Sequence, residues 1–220
     1  MTDDEQYRQH RFSAPSGSTT ILLVRHGESA AAQPGTPFPL VDGHGDPELH
    51  SHGRMQADRV AERLANEQID AIYVTTLRRT HETAAPLAAK LGITPVVEAD
   101  LREVHLGEWE GGVIRVKAAA GDPLFAVMYE QQRWDVIPGA EPMEAFEARV
   151  LAGLRRIAEA HPDQRVVAVV HGGVIGQILS SATRSAGFAF EGADNASISE
   201  VVVHGDRIIV RRFNDTVHLQ

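Results

Sequence analysis

Two apolar, β-branched runs that each end in a histidine followed by glycine constrain the fold of this chain more than any other feature. The first spans residues 21–27 (ILLVRHG) and the second spans residues 166–173 (VVAVVHGG). Such runs are typical of buried strands in a parallel sheet, and open α/β proteins bind ligands at the carboxyl ends of those strands. The pattern therefore predicts that His26 and His171 share one pocket, provided that the two strands are neighbours.

Two arginines accompany these histidines. Arg25 directly precedes His26, and Arg79 lies near the start of a predicted helix that follows another predicted strand. With His171 they would form a positively charged cup that needs no metal ion. Guanidinium groups bind phosphoryl oxygens through pairs of hydrogen bonds, so the natural occupant of such a cup is a phosphoryl group. We interpret the neighbouring Arg78 as a solvated surface charge.

Predicted strands and helices alternate along the chain. The strands are expected at 20–25, 71–74, 94–97, 166–170, 197–203 and 207–213, and the helices at 52–67, 77–91, 123–134, 142–160 and 173–182. This order predicts an α/β fold, a three-layer α/β/α sandwich around a mostly parallel central sheet, with room for one antiparallel edge strand. Residues 1–18 are expected to form a flexible tail and residues 19–220 a single domain, a length that suits one hydrophobic core.

Two irregular stretches are expected to lie over the carboxyl edge of the sheet. Residues 33–50 are rich in proline and glycine and have the composition of a long loop, which in a compact domain is often functional. Residues 104–140 are interrupted by glycines and prolines. Together the two stretches would form the mouth of the substrate pocket.

Composition excludes several classes of protein. The chain carries 21 Lys and Arg against 30 Asp and Glu, so we expect no nucleic-acid partner and only local attraction of an anion within a cleft. No apolar run reaches the roughly 20 residues that span a bilayer, so no membrane association is expected, and the acidic N-terminus lacks a secretory signal. The absence of cysteine fits a cytoplasmic location, and an exposed edge strand would permit a homodimer.

The candidate residues also have plainer interpretations. His26 on its own is equally compatible with a histidine that merely ends a strand, and the glycines after His171 resemble a dinucleotide-binding turn, although their spacing differs from that motif. A carboxyl group beside a phosphoryl dianion holds its proton more readily and so can act as a general acid. Glu103, Glu108 and Glu110 compete for this role.

Three further histidines, His44, His50 and His52, crowd one loop region. A zinc site there would need supporting carboxylate or cysteine ligands at suitable spacing, and the sequence offers none. We interpret them as polar loop histidines and expect neither a metal nor a cofactor.

Several segments, taken in order, resemble the motifs of the histidine phosphatase superfamily, in the branch of the cofactor-dependent phosphoglycerate mutases and related phosphatases. RHGES at 25–29 resembles the R-H-G-E-[ST] signature, and residues 49–57 are similar to L-[ST]-x-x-G-x-x-Q-A with a one-residue displacement in the first half. The segments that resemble S-x-L-x-R-A-x-x-T-A, L-x-E-x-x-x-G-x-W-E-G, P-G-G-E-S and V-V-H-G-G are 75–84, 101–111, 138–141 and 169–173, respectively.

This resemblance implies a phosphoglycerate mutase-like fold and roles for the matched residues. His26 would be the nucleophile that becomes phosphohistidine, and Glu103 would protonate the leaving oxygen. Positive charge in the cup would offset the charge of the transition state, which makes Arg25, Arg79 and His171 catalytic as well. The residues expected to contact the substrate are Arg25, Ser29, Arg79, His171 and Gly172.

Departures from the family pattern favour a phosphatase over a mutase. Many family members have asparagine where this chain has Ala32, which removes one hydrogen bond to the phosphoryl group. Phosphoglycerate mutases typically continue Arg-His-Tyr-Gly after the matched glutamate, whereas residues 104–107 read VHLG. The arginine and tyrosine that would meet a substrate carboxylate are therefore absent, and we expect a phosphomonoester hydrolase for a small phosphorylated metabolite.

Two alternatives stay open. One is a cofactor-dependent phosphoglycerate mutase that recognises its substrate through Arg115, Lys117 or Arg133. The other is a non-catalytic phospho-ligand-binding or interaction module, for which the alanine at position 32 would be an early sign.

Overall fold

The computed structural model describes residues 9–220 and contains a six-stranded sheet with helices on both faces. The strands are β1 (Thr19–Arg25), β2 (Leu40–Val41), β3 (His44–Gly45), β4 (Ala71–Val74), β5 (Val96–Val97), β6 (Arg165–Val170), β7 (Ile198–His204) and β8 (Arg207–Asp215). The helices are α1 (Ser51–Leu64), α2 (Arg78–Leu91), α3 (Val113–Ala119), α4 (Leu124–Gln131), α5 (Met143–Ala160) and α6 (Gly172–Thr183). Within residues 9–220, no helix is long and apolar enough to cross a membrane.

Strand β1 shows how alternating side chains hold three layers together. Ile21 and Leu23 pack with residues of α5 and α6 on one face of the sheet. Leu22 and Val24 pack with residues of α1 and α2 on the other face, and all four side chains are at most 2% exposed. Full burial of such a side chain contributes about 1.5–3 kcal/mol relative to exposure, so this one strand stabilises both helical layers.

The two apolar runs found in the sequence pair directly with each other. Strands β1 and β6 are parallel, with Arg25 opposite Val170 in the register. The backbone continues this pairing beyond the strand, since His26 N donates to Val170 O at 3.0 Å. The structure thus meets the condition that the sequence set for a pocket shared by His26 and His171.

The predicted three-layer sandwich is confirmed, with one difference in the sheet. The strand order is β5-β4-β6-β1-β7-β8, and β7 is antiparallel to both of its neighbours. The sequence predicts an antiparallel strand at the edge of the sheet, whereas the antiparallel strand β7 lies inside it, between β1 and β8. The reason is the hairpin at Gly205-Asp206, which returns the chain and adds β8 as the outermost strand.

The two irregular stretches contain more structure than the sequence predicted. Strands β2 and β3 form a hairpin within 33–50, because Asp42 and Gly43 adopt positive φ angles of 50° and 82° and reverse the chain. In the second stretch, α3 begins directly after Gly112, whose φ is 91°. This helix was not predicted from the sequence because adjacent glycines at 111 and 112 interrupt the pattern directly before it. A small apolar cluster centred on Trp109 holds the stretch together.

The expected N-terminal tail lies partly outside the described residues, which begin at residue 9. Residues 9–18 form neither helix nor strand. Contacts that join them to the domain include hydrogen bonds from Gly17 N to Asp163 Oδ1 at 2.6 Å and from Asp163 N to Ser18 O at 2.8 Å. The guanidinium carbon of Arg211 also lies 3.8 Å from the centroid of the Phe12 ring.

Gly53 allows α1 to approach the chain that follows β1. A Cβ atom on Gly53 would lie 2.0 Å from Glu28 O and 2.8 Å from Glu28 N. Although alanine is the better helix former, we expect Gly53→Ala to lower the free energy of unfolding by about 3 kcal/mol, because the backbone must move apart. Asp58→Ala on the exposed face of α1 is the matched control. Denaturant titration measures both variants, and equal stabilities would contradict the close approach.

Candidate active site

The carboxyl ends of the parallel strands border a cavity of about 280 Å³. Its lining includes Arg25 and His26 at the end of β1, Arg79 in the first turn of α2, Glu103 in the chain after β5, and Gly172 at the start of α6. Because β1, β4, β5 and β6 are parallel, the segments that follow them meet at the same edge of the sheet.

His26 is held as a neutral imidazole. Its Nδ1 lies 2.8 Å from Gly27 O, and its Nε2 accepts a hydrogen bond from Arg79 Nε at 3.2 Å. The carbonyl contact fixes the ring proton on Nδ1 and leaves the lone pair on Nε2. Burial lowers the pKa of His26 well below its usual range, and repulsion from Arg79 and Arg25 lowers it further.

Three arginines line the cavity, and two of them, Arg25 and Arg79, are those that the sequence predicts. Arg79 is 7% exposed and donates from Nη1 to Gly45 O at 2.8 Å. Desolvation lowers the pKa of Arg79 to about 10, which keeps it protonated at neutral pH. Arg25 donates from Nη1 to Ala193 O, while its buried Nε has no hydrogen-bond partner among residues 9–220. A buried donor without a partner is unfavourable, and an anion in the cavity would supply one.

His171 is completely buried beside His26 and does not itself line the cavity. The two ring centroids are 5.2 Å apart. Nε2 of His171 lies 3.0 Å from Thr75 Oγ1, and the buried Nδ1 has no hydrogen-bond partner in the described part of the chain. Burial lowers the pKa of His171 well below its usual range.

The carboxylate of Glu103 rests against the first turn of α6. Its Oε2 accepts from Gly173 N at 3.2 Å, and its Oε1 accepts from Val104 N at 3.0 Å. A Cβ atom on Gly173 would lie 2.4 Å from Oε1, so the approach depends on glycine. The backbone of Glu103 is fixed by Arg149, whose Nη2 donates to Glu103 O at 2.8 Å, and by His44 Nε2, at 3.1 Å from the same oxygen.

The two competing acids are placed differently. Glu108 is exposed and is not part of the cavity lining. Glu110 lines the cavity, and each of its oxygens, like those of Glu103, accepts a backbone hydrogen bond, in this case from Gly45 N at 2.7 Å and from Leu106 N at 2.8 Å. Glu110 therefore joins the β2–β3 hairpin to the chain that follows Glu103.

Ser29 lies near the cavity without lining it. Its hydroxyl accepts a hydrogen bond from Arg115 Nη2 at 2.7 Å, and Arg115 also donates to Ala30 O at 2.9 Å. Arg115 itself lines the cavity. Ala32 lies against the start of α3, since its Cβ would be 3.0 Å from a Cβ built on Gly112. Arg115 lies on α3, so the helix that was not predicted from the sequence brings a third arginine to the site.

Three other cations singled out in the sequence lie outside the cavity lining, namely Arg78, Lys117 and Arg133. Each forms ion pairs with nearby carboxylates, and these partners are Glu48 and Glu82 for Arg78, Asp122 for Lys117, and Asp135 and Glu144 for Arg133. Arg78 is thus the surface charge that the sequence indicated. Of the three cations named for the mutase alternative, Arg115, Lys117 and Arg133, only Arg115 lines the cavity.

The three loop histidines have separate surroundings. His44 is 7% exposed within β3, His50 accepts from His52 N at the start of α1, and His52 Nδ1 lies 2.7 Å from Glu28 Oε2. Among residues 9–220, no group of three or more His, Cys, Asp or Glu side chains is arranged to hold a metal ion.

Some residues that hold the site were missed in the sequence. Asn195 Nδ2 donates to His26 O at 3.0 Å, and Asn214 Nδ2 donates to Asp194 Oδ2 at 2.8 Å. These contacts tie the end of β8 to the loop that accepts from Arg25. Arg149 on α5 likewise holds part of the site, because it donates to Glu103 O. Their only signal in the sequence is a polar residue in or beside a predicted element, which does not distinguish them from ordinary surface residues.

Comparison with known proteins adds a family to this geometry. A model of the histidine phosphatase superfamily (branch 1) matches residues 21–216. The chain belongs to the histidine phosphatase superfamily. It is 38% identical over 205 residues to "Phosphoglycerate mutase-like protein 4" of Arabidopsis thaliana, with 91% of this chain and 86% of that protein covered.

Several proteins that are similar to this chain are named as phosphatases. "Metal-independent phosphoserine phosphatase" of Arabidopsis thaliana is 32% identical over 206 residues, with 91% of this chain and 83% of that protein covered. The solved structure of mycobacterial glucosyl-3-phosphoglycerate phosphatase has a TM-score of 0.73 at 27% identity and covers 90% of this chain and 100% of its own. The expected family and the phosphoglycerate mutase-like fold are confirmed, and the relatives favour a phosphatase.

The buried neutral histidines predict a pH-dependent stability. In the folded protein the pKa values of His26 and His171 are lowered from 6.5, so below this pH the unfolded chain binds protons that the folded chain does not. The free energy of unfolding is therefore highest above pH 6.5 and falls on acidification, by up to about 1.4 kcal/mol per pH unit for each histidine. We expect His26→Gln to flatten this dependence between pH 6.5 and about pH 5. Denaturant titrations across this range measure it, and parallel curves would contradict it.

Proposed function

We propose that this member of the superfamily hydrolyses phosphomonoesters of small metabolites in two steps, through a phosphohistidine on His26. The observation that carries the proposal is the surroundings of Nε2 of His26. Its lone pair lies on Nε2 because Gly27 O holds the proton of Nδ1, in a cavity that Arg25 also lines. Arg79 Nε donates to this lone pair at 3.2 Å and would pass to a phosphoryl oxygen as the nitrogen attacks. A neutral nucleophile next to fixed cations suits attack on an anionic phosphoryl group.

In the first step, Nε2 of His26 attacks phosphorus, and the N–P bond forms as the P–O bond to the leaving group breaks. Glu103 transfers its proton to the departing oxygen, so the alcohol leaves neutral. Arg25, Arg79 and the Nδ1–H of His171 offset negative charge on the phosphoryl oxygens. The backbone N–H of Gly172 adds a donor at the start of α6.

In the second step, a water molecule attacks the phosphorus of the phosphohistidine. The carboxylate of Glu103 takes a proton from this water, the N–P bond breaks, and its electron pair returns to Nε2 of His26. Inorganic phosphate leaves, and Glu103 is protonated for the next cycle. General acid–base assistance of this kind contributes on the order of 10²–10⁴ in rate.

Two observations support hydrolysis over transfer to a second hydroxyl. A mutase must hold a second anionic group, and of the three cations proposed for that task only Arg115 lines the cavity. The relatives include a phosphoserine phosphatase and a glucosyl-3-phosphoglycerate phosphatase, both named for small phosphate monoesters. The cytoplasmic location, the homodimer and the absence of nucleic-acid partners stay predictions.

Phosphorus NMR of EDTA-treated protein with 3-phosphoglycerate and then with sugar phosphates tests this function. We expect inorganic phosphate without 2-phosphoglycerate, and alkali-stable phosphate on the protein in quenched reactions. His26→Ala should lose both signals and keep its fold, because a side chain at a strand end contributes little to the core.

Arg79→Gln should weaken turnover strongly, and Arg78→Gln is its matched surface control. Formation of 2-phosphoglycerate would instead assign a mutase. A fully active His26→Ala variant would contradict the assignment of His26 as the nucleophile. Absence of turnover with every substrate would favour the non-catalytic alternative.

The role of Glu103 predicts a dependence on the leaving group. Glu103→Gln should slow hydrolysis of alkyl phosphates by about 10²–10⁴-fold, because an alkoxide needs a proton to depart. The same variant should slow p-nitrophenyl phosphate far less, since nitrophenolate leaves without one. Steady-state kinetics on both substrates measure this, with the exposed Glu108→Gln as the matched control. Equal losses on both substrates would direct attention to Glu110.

A further inference from the structure

Away from the phosphoryl cup, the cavity wall is apolar. Its larger apolar side chains include Phe38, Pro47, Leu106, Trp109, Ile114 and Trp134. Four of them belong to the small cluster centred on Trp109, a third cluster besides the two that hold the faces of the sheet. This cluster therefore presents its rim to the cavity, where a ligand would cover it.

Ring packing within the protein holds this wall in place. The Trp109 ring centroid lies 5.0 Å from that of Phe125, and the Trp134 centroid lies 4.9 Å from that of Phe188. Trp109 is only 4% exposed. Because these rings are already packed in place, a ligand that covers them loses little free energy to ordering the protein.

Several polar groups around this wall already have partners within the protein. Both oxygens of Glu110 accept backbone hydrogen bonds, and both ring nitrogens of His44 lie 3.1 Å from backbone carbonyls. Arg115 donates to Ser29 Oγ and to Ala30 O. A leaving group with many hydroxyls would lose its hydrogen bonds to water here and gain few in return.

The cavity lining contains equal numbers of arginine and glutamate side chains. The ionisable Arg and Glu residues of the lining are Arg25, Arg79, Arg115, Glu103, Glu110 and Glu191. Three guanidinium groups and three carboxyl groups thus line the cavity. With a phosphoryl dianion in the cup, the lining carries no net positive charge to attract a second anionic group.

We propose that the leaving group of the natural substrate is uncharged and largely apolar. The substrate class is a phosphate monoester of an aliphatic or aromatic alcohol, and the alcohol portion packs against Phe38, Ile114 and Trp134. This inference rests on the proposed hydrolysis at His26 and specifies which alcohol departs. It separates this chain from relatives that are named for phosphoserine and for glucosyl-3-phosphoglycerate.

Three phosphate esters of primary alcohols test the proposal: n-hexyl phosphate, glucose 6-phosphate and O-phosphoserine. They have similar bonds to break and differ in the polarity and charge of the alcohol. We expect kcat/KM for phosphate release to be at least about tenfold higher for n-hexyl phosphate, because several methylene groups leave water.

Variants of the wall separate packing from chemistry. Ile114→Asn should lower kcat/KM for n-hexyl phosphate about tenfold and lower it much less for glucose 6-phosphate, because a hydroxylated sugar gains little free energy from contact with an apolar side chain. Val127→Asn, at an exposed apolar position on α4 outside the lining, is the matched control. Phe38→Ser provides the same test from the loop before β2, should Ile114→Asn fail to fold.

The outcomes distinguish this inference from the proposed function. Faster release from glucose 6-phosphate overturns the apolar leaving group and leaves hydrolysis at His26 intact. Faster release from O-phosphoserine does the same and assigns Arg115 to a substrate carboxylate. Equal effects of Ile114→Asn on n-hexyl phosphate and glucose 6-phosphate also overturn it. No phosphate from any of the three esters removes the proposed function and this inference with it.

Discussion

The hydrogen bond from His26 N to Val170 O marks the constraint on which the site depends. It continues the parallel register of β1 and β6, and this register sets the ring of His26 5.2 Å from that of His171. A slip of one residue would turn every side chain of β1 to the opposite face of the sheet and disrupt both helical layers. The apolar contacts that stabilise the fold therefore also fix the position of the candidate nucleophile.

Burial gives the site its electrostatic character. His26 and His171 are neutral because desolvation and nearby guanidinium groups lower their pKa values. Desolvation also acts on Arg79, whose pKa falls to about 10. Burial makes the charged forms of Arg25 and Arg79 less favourable in the free site, and a phosphoryl dianion would recover part of this free energy. Fixed cations then act on the transition state without having to reorganise.

Much of the fold and of the candidate site was predictable from local sequence signals. The runs at 21–24 and 166–170 are apolar, each leads into a histidine followed by glycine, and they are the paired central strands. Helix α3 was missed because two glycines interrupt the pattern before it. The contact of Ser29 with Arg115 and the anchoring of Glu103 by Arg149 were missed for another reason. They join segments far apart in the chain, and such contacts depend on distances that no local pattern encodes.

The close fit of Gly173 against Glu103 has a consequence for how such a protein can change. A single methyl group at this position would displace the carboxylate, while Arg25, His26 and Arg79 lie on other segments. In the proposed mechanism, this would separate capture of the phosphate ester from proton delivery. The start of α6 is thus a point at which one substitution would favour holding the ester over cleaving it.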